Sequence, residues 1–355
     1  MNLAANILAV GLSFVLCSIF TPMVRSLAIK LDIGDKPNGR TSRNIAHIGG
    51  IAIISAILFT LIVVFMFFLE GITLSRIFSP IFIASGFLIF LIGIVDDLRS
   101  LHYSYKLALQ VMVSIFVSLF GIILLNHFGV VHFRIFWGVF SFIIVAFWML
   151  GITTSFNLVD GLDGLASGLA IIYAISFAIA GFIFKDPLVV TLSLVVVGAM
   201  SAFLRYNFPP AKIFMGDSGS LFIGLIFGLL PLLLVIGAKR VFFVSAGSLI
   251  VLSIPVLDTV LAFTRRLLKG KAVFEADHMH IHHILLYSLK SVRRVDFVEW
   301  FLAAIHSYLG LLVMQGSLIV LVVAISLDVL IFIVALRVMV GKGVKEGRLL
   351  EILEH

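Results

Sequence analysis

Asn157-Leu158-Val159-Asp160-Gly161-Leu162-Asp163-Gly164-Leu165 breaks an apolar chain with a carboxamide and two carboxylates, one every third residue. The runs on either side are about 20 residues long, the length that crosses a bilayer as a helix. If a helix begins in this stretch, positions i, i+3 and i+6 lie close to one face. Asn157, Asp160 and Asp163 then project together, while Gly161, Gly164 and Gly168 let another helix or a ligand come close. A plain helix start needs one capping residue, Asn157, and one acid for the positive end of the dipole. The second Asp and the glycines exceed that need. Ionisable groups beside a membrane span are costly, so the cluster points to function.

Composition agrees with the membrane reading. The chain has 355 residues, of which 62% are hydrophobic and only 12% charged, and its mean hydropathy is +1.24. Strand alternation is absent, and a helix satisfies its own backbone in lipid. The expected fold is all-α: a polytopic integral membrane protein of about 11 transmembrane helices. These centre near residues 13, 58, 88, 115, 144, 174, 196, 228, 252, 306 and 327. The last two come from one long apolar stretch, divided at Gln315-Gly316-Ser317. The first run, about Leu3 to Met23, has no basic n-region and no small-residue cleavage site, and reads as a retained span. Cys17 is the single cysteine, so no disulfide framework is expected.

Basic residues orient these spans. All Lys and Arg except Arg76, Arg134, Lys185, Lys239 and Arg240 follow odd-numbered spans or lie in the tail. By the positive-inside rule the N-terminus is outside and the C-terminus cytoplasmic. The same bias accounts for the net charge of +7, so no nucleic-acid partner is expected. The expected domain plan is a single transmembrane domain over residues 1–340 and a basic cytoplasmic tail over 341–355. The cytoplasmic loops expected to carry any catalytic site are 25–47, 96–106, 155–164, 205–219 and 265–298.

Acids gather on that same side: Asp96, Asp97, Asp160, Asp163, Asp217 and Asp277. A transporter places ionisable groups near the midplane, whereas helix-end acids on one face suit an enzyme with a water-soluble substrate. Adjacent carboxylates such as Asp96 and Asp97 repel unless a cation or a shared proton separates them. Lys106 and Gln110 stand one turn apart at the next helix start, where a cation meets a phosphate. The basic first loop, with Arg40 and Arg43, suits either a lipid phosphate or ordinary juxtamembrane charge. Gly216 and Gly219 bracket Asp217 at another helix start, open enough for a phosphate or a metal carboxylate, or for simple capping. His278, His280, His282 and His283 crowd six residues of the longest cytoplasmic loop and suit a metal or a phosphate. Asp258 lies two turns from a cytoplasmic helix end, where it can support the site. Asp328, in mid-span, requires a buried partner.

In order along nearly the whole chain, these motifs resemble the polyprenyl-phosphate N-acetylhexosamine-1-phosphate transferases. They are D-K-P-N from Asp35, I-x-x-I-G-G from Ile45, V-D-D-L from Val95, and N-L-V-D-G-L-D-G-L from Asn157. N-F-P-P-A-K-I-F-M-G-D-S-G-S-L from Asn207 and D-x-x-H-I-H-H from Asp277 complete the set. Ala46-His47, Ala276 and His278 depart from the family's usual Pro-Arg, Pro and basic residue. The last motif is similar to the branch using UDP-N-acetylglucosamine (UDP-GlcNAc). The resemblance implies a bacterial cytoplasmic-membrane enzyme with undecaprenyl phosphate as acceptor, Mg2+ (alternatively Mn2+) as cofactor and UMP as leaving product. Its lipid product would start an envelope glycan such as lipopolysaccharide or teichoic acid. The resemblance assigns Asp217 to the metal with Asp97 as helper and Asp96 as base or phosphate-orienting carboxylate, the pair being exchangeable. Asn157, Asp160 and Asp163 would face the nucleotide diphosphate, and Asn207 and Phe214 the uracil. His280, His282 and His283 would contact phosphate or sugar, and Lys106 and Arg43 are expected on substrate phosphates. Expected partners are therefore UDP-GlcNAc, undecaprenyl phosphate, the lipid bilayer and, as an open expectation, a second copy in a homodimer. Rival readings are another UDP-N-acetylhexosamine, UDP-MurNAc-pentapeptide, an ion-coupled transporter, and a CDP-alcohol phosphatidyltransferase. The last of these would need Ala-Arg after Asp163-Gly164, which here are followed by Leu165-Ala166.

Overall fold

A computed structural model describes residues 3–34, 45–68, 80–127, 135–236, 238–268 and 280–340, and these residues form a helical bundle without a strand. The helices are α1 (Leu3–Lys30), α2 (Gly49–Phe68), α3 (Pro80–Arg99), α4 (Tyr103–His127), α5 (Ile135–Val159), α6 (Leu165–Phe184) and α7 (Pro187–Asn207). They continue with α8 (Gly216–Ile236), α9 (Val241–Val251), α10 (Ser253–Leu268), α11 (Ile281–Leu289), α12 (Val292–Met314) and α13 (Leu318–Val340). Among the described residues, eight helices are long and apolar enough to cross a membrane, or nine with α9 and α10 taken together. The chain is a multi-pass membrane protein. Ten of the eleven centres read from the sequence fall inside helices, and the divide at Gln315-Gly316 lies between α12 and α13. The exception is the centre near 252, which falls on a break: α9 and α10 meet at 74°. Pro255 lacks the N–H that would bond the Val251 carbonyl, so the helix cannot run on straight.

The most buried helix is α8, packed by α2, α3, α5, α6 and α9. Its contact with α3 is close because Gly93 has no side chain. A Cβ at Gly93 would lie 2.3 Å from the Ser218 Cα. Around this centre, α1 packs on α7 and α6 on α7, the latter pair joined by a two-residue turn. Lys185 ends α6 with φ 58°, and Asp186 caps α7 by accepting from the Leu188 and Val189 N–H groups at 3.0 and 3.1 Å. By contrast, α13 is largely exposed to the surroundings of the bundle. It is tied to α12 by Asp328, whose Oδ1 lies 3.0 Å from the fully buried His306 Nε2. That supplies the partner Asp328 requires.

The tightness of the α3–α8 contact sets a test. Gly93→Ala should lower the thermal unfolding midpoint in detergent, because overpacking costs about 1–3 kcal/mol. Gly151→Ala, where a Cβ would meet nothing within 4 Å, should leave the midpoint unchanged or slightly raised. Equal midpoints for the two variants would refute the close approach.

Candidate functional site

Polar side chains from several helix ends converge at one end of the bundle, and the start of α8 organises them. Gly216 enters that helix with φ 72°, a conformation that other residues rarely adopt. Its first N–H groups have no helical acceptor, and Asp97 from the end of α3 provides one. Asp97 Oδ1 accepts from the Asp217 N–H at 2.6 Å, and Oδ2 accepts from the Ser218 N–H at 3.1 Å and the Ser218 hydroxyl at 2.6 Å. Residues 46–50 pair alongside. Phe214 N–H donates to the Ala46 carbonyl at 2.8 Å, and the Gly49 and Gly50 N–H groups donate to Phe214 and Met215 carbonyls. The Phe214 ring, half-buried, meets the His47 ring at 5.0 Å.

Asp217 itself faces a second set of groups. Asn157 Nδ2 donates to its Oδ1 at 2.7 Å and to Ser220 Oγ at 2.8 Å. The Lys106 ammonium pairs with Asp217 Oδ2 and, at 3.0 Å, with Asp96 Oδ2. Asp96 Oδ1 meanwhile accepts from the Leu101 N–H at 2.6 Å, closing the α3–α4 turn. One cation thus sits between Asp96 and Asp217, while Asp97, expected beside Asp217 on a metal, spends both oxygens on the α8 start. Gln110 is buried and accepts from Thr154 rather than offering itself to a ligand. Among the described residues no three His, Cys, Asp or Glu side chains converge at metal-binding distance.

The Asn157–Leu165 stretch departs from the helical reading. Asn157 lies in the last turn of α5, Asp160 to Gly164 form a turn, and α6 begins at Leu165, capped by Gly164 at φ 79° with no side-chain bond. The glycines that suggested close helix contact instead permit the turn, so the three polar residues do not share one helical face. Asp163 Oδ2 accepts from the Ala211 N–H at 2.8 Å. Asn207, 2% exposed, accepts from Gly164 N–H and Ser167 Oγ and donates to the Ile213 carbonyl. Three of its hydrogen bonds are made within the protein, so Asn207 holds the 208–213 loop against α6. Burial first, then the Asp97 and Asp163 charges, pushes the Asp160 carboxyl well above the usual carboxylate range. Burial also raises Asp163, against the Ala211 hydrogen bond, which lowers it.

The described end of the histidine motif is helical from Ile281 rather than a loop. His280 precedes α11, and Asp258 of α10 holds both ends of that entry: Oδ2 lies 2.9 Å from His280 Nδ1 and Oδ1 accepts the Ile281 N–H at 2.6 Å. The His280 and His282 rings are parallel, with centroids 5.4 Å apart, and His283 is buried beside them. A Cβ on Gly161 would lie 2.6 Å from His282 Nε2, so the motif packs directly on the Asp160–Gly164 turn. Arg43, Asp277, His278 and the tail lie outside the described residues. The sequence motif around Asp217 assigns no role to Ser218 or Ser220, yet their hydroxyls join the network. Nothing in the sequence distinguishes Asp296, fully buried in α12, from a solvated acid beside Arg293 and Arg294.

Residues 79–235 match the model of the glycosyl transferase family 4. The chain is similar to the "Probable undecaprenyl-phosphate N-acetylglucosaminyl 1-phosphate transferase" of Bacillus subtilis, 34% identical over 76% of this chain and 74% of that protein. It is similar also to the decaprenyl-phosphate N-acetylglucosaminephosphotransferase of Mycolicibacterium smegmatis, 32% identical over 80% of this chain and 76% of that one. The phospho-N-acetylmuramoyl-pentapeptide-transferase of Staphylococcus aureus is 28% identical over 86% of this chain and 97% of its own.

Burial at the turn gives a pH test. Burial, outweighing the attraction of Asp258, holds the His282 imidazole down at about 4, against an ordinary 6.5. Between those values the unfolded chain takes up a proton that the folded chain refuses, so stability falls as pH drops from 6.5 toward 4. The unfolding midpoint of His282→Gln should fall less steeply over that range than that of the wild type. Parallel curves would show that His282 is not the group responsible.

Proposed function

The chain belongs to glycosyl transferase family 4, and from that premise we propose that it transfers N-acetylglucosamine 1-phosphate from UDP-GlcNAc to undecaprenyl phosphate at the cytoplasmic face of a bacterial membrane. The observation that carries this reading is the meeting of Lys106, Asp96, Asp217 and Asn157 at one end of an apolar bundle. A soluble nucleotide sugar can reach such an end while a prenyl chain stays in lipid. The same reaction with UDP-MurNAc-pentapeptide is the second reading, favoured by the likeness to the Staphylococcus aureus protein. Membership of a transferase family argues against the transporter.

In the transfer, an oxygen of the acceptor phosphate attacks the β-phosphorus of UDP-GlcNAc. A new P–O bond forms, the bridge to the α-phosphorus breaks, and UMP leaves with the bridging oxygen. Such chemistry asks a protein for position and positive charge more than for covalent help. Lys106 offsets charge on the phosphates, and Asn157 keeps Asp217 oriented. Asp96 and Asp217 suit Mg2+, because two carboxylates already share one cation and offer only hard oxygen ligands. Mn2+ would be accepted by the same donors. When bound there, the metal would supply charge neutralisation on the transferring phosphoryl group. Asp97, through the α8 N–H groups, holds Asp217 at that point. Phe214 offers a partly exposed ring face for the base. His280, oriented by Asp258, and the neighbouring His282 and His283 stand across the turn for the sugar or its phosphate.

Three measurements test the proposal. Purified protein with undecaprenyl phosphate, Mg2+ and a panel of UDP-sugars should release UMP fastest with UDP-GlcNAc, and a preference for UDP-MurNAc-pentapeptide would select the second reading. Asp217→Asn should lower the rate by at least about 100-fold, because losing even an outer-shell partner costs 10–100-fold. Asp96→Asn should raise the Mg2+ concentration needed for half-maximal rate, whereas Asp97→Asn should also depress the unfolding midpoint. If all three retain wild-type rates and metal dependence, the catalytic centre lies elsewhere.

Sidedness can be read with cysteines, since the native Cys17 is buried and gives little background. Ser100→Cys should react with an impermeant thiol reagent only from the cytoplasm and Lys239→Cys only from outside. Labelling of both from one side would overturn the orientation.

A further inference from the structure

Two acids of α12 are buried without any evident means of support. Asp296 is 0% and Glu299 2% exposed, and they lie one helical turn apart, on neighbouring positions of one face. Neither Asp296 oxygen has a hydrogen-bond partner, nor does Glu299 Oε1. Arg293, one turn earlier, is turned away: its guanidinium donates to the Pro209 carbonyl at 2.9 and 3.1 Å and lies over the Phe208 ring. The surroundings add further negative groups rather than positive ones. A Cβ on Gly164 would lie 3.5 Å from Asp296 Oδ2, so Asp296 rests against the Asp160–Gly164 turn. Asp163 is within electrostatic range of Asp296, and Asp258 of Glu299.

A further buried polar group interacts with Glu299. Tyr173 of α6 is fully buried, its hydroxyl has no partner, and it interacts electrostatically with Glu299. The Trp300 indole N–H donates to the Leu165 carbonyl at 3.1 Å, fastening this part of α12 to the start of α6. Native buried polar groups without partners call for an ion, a water or a function, and buried carboxylates without a cation are among the costliest of them.

We propose that Asp296 and Glu299, with the Tyr173 hydroxyl, form a cation site for a hard divalent ion of the Mg2+ class, separate from the Asp96–Asp217 pair. Two carboxylates match a double positive charge, and the donors are oxygen only. Both carboxylates are closed off from the surroundings of the bundle, which excludes a sugar or a lipid headgroup as the ligand. Since among the described residues no three acids or histidines converge at ligand distance, the two carboxylates are the charged ligands, and the phenol and water fill the remaining positions. The bound ion would fasten α12 and α6 around the Asp160–Gly164 turn. This inference does not depend on the transferase reading, because the site is occupied without substrate.

The test uses full-length protein in detergent, stripped of metal with a chelator and titrated with Mn2+, free Mn2+ being followed by electron paramagnetic resonance. Asp217→Asn protein should still take up about one Mn2+ per chain and should gain thermal stability on adding Mg2+. Adding Asp296→Asn and Glu299→Gln to that background should abolish both effects. Glu299→Gln alone should weaken the uptake about tenfold or more, and it carries the test if the combined variant does not fold. No uptake by Asp217→Asn protein, or uptake indifferent to the α12 substitutions, overturns the site.

Discussion

A helix that begins within a packed bundle has N–H groups that its own carbonyls cannot satisfy. The start of α8 is in that position, and Asp97 of α3 resolves it with two backbone bonds and one to the Ser218 hydroxyl. Everything near the site follows from this contact. It fixes the end of α3 against the start of α8, an approach that Gly93 and Gly216 permit. Asp96, the preceding residue, therefore stands where it can share Lys106 with Asp217. One carboxylate serves the scaffold and its neighbour faces the open end, so the repulsion expected of adjacent acids never arises in full.

The same economy recurs across the site: groups that look like ligands in the sequence are often what holds the ligands' backbone. Asn207 bridges the α6 start and the Ile213 carbonyl, and Asp163 secures Ala211. Asp258 orients His280 through one oxygen while its other oxygen caps α11. Side chains that remain open, such as Lys106, Asp217 and Phe214, are placed by this inner layer. Precision in the outer groups is inherited from buried ones that a substrate need not touch.

Helix positions were legible because a bilayer demands about 20 apolar residues per crossing, and that signal survives without tertiary knowledge. The polar motifs were equally plain, since ionisable groups are rare in such a chain. What was not legible depends on long-range partners. Period-three spacing from Asn157 to Asp163 fits a helix face, yet the glycines between admit a left-handed turn at Gly164, and packing against His282 and Pro209 selects the turn. The elbow before α10 had a local cause in Pro255, hidden within an unbroken apolar run. Asp97 as a cap for a helix far along the chain, and Asp296 as a buried acid, leave no local trace. An acid that caps, one that meets a cation and one that is interred look alike in sequence.

The His306–Asp328 pair has an implication for how the last two helices enter the membrane. His306 Nδ1 lies 2.8 Å from the Leu302 carbonyl, which can only accept, so Nδ1 carries a proton. Nε2 then faces Asp328 Oδ1 at 3.0 Å, close enough for the two groups to share a proton. Wherever that proton resides, the pair is electrically neutral. A lone Asp at the centre of a spanning helix opposes insertion by about 2.5–3.5 kcal/mol. Presented together with α12, the Asp328 segment escapes that penalty. The two helices are thus better inserted as one hairpin than one after the other, with α12 acting as escort for the more lipid-exposed α13.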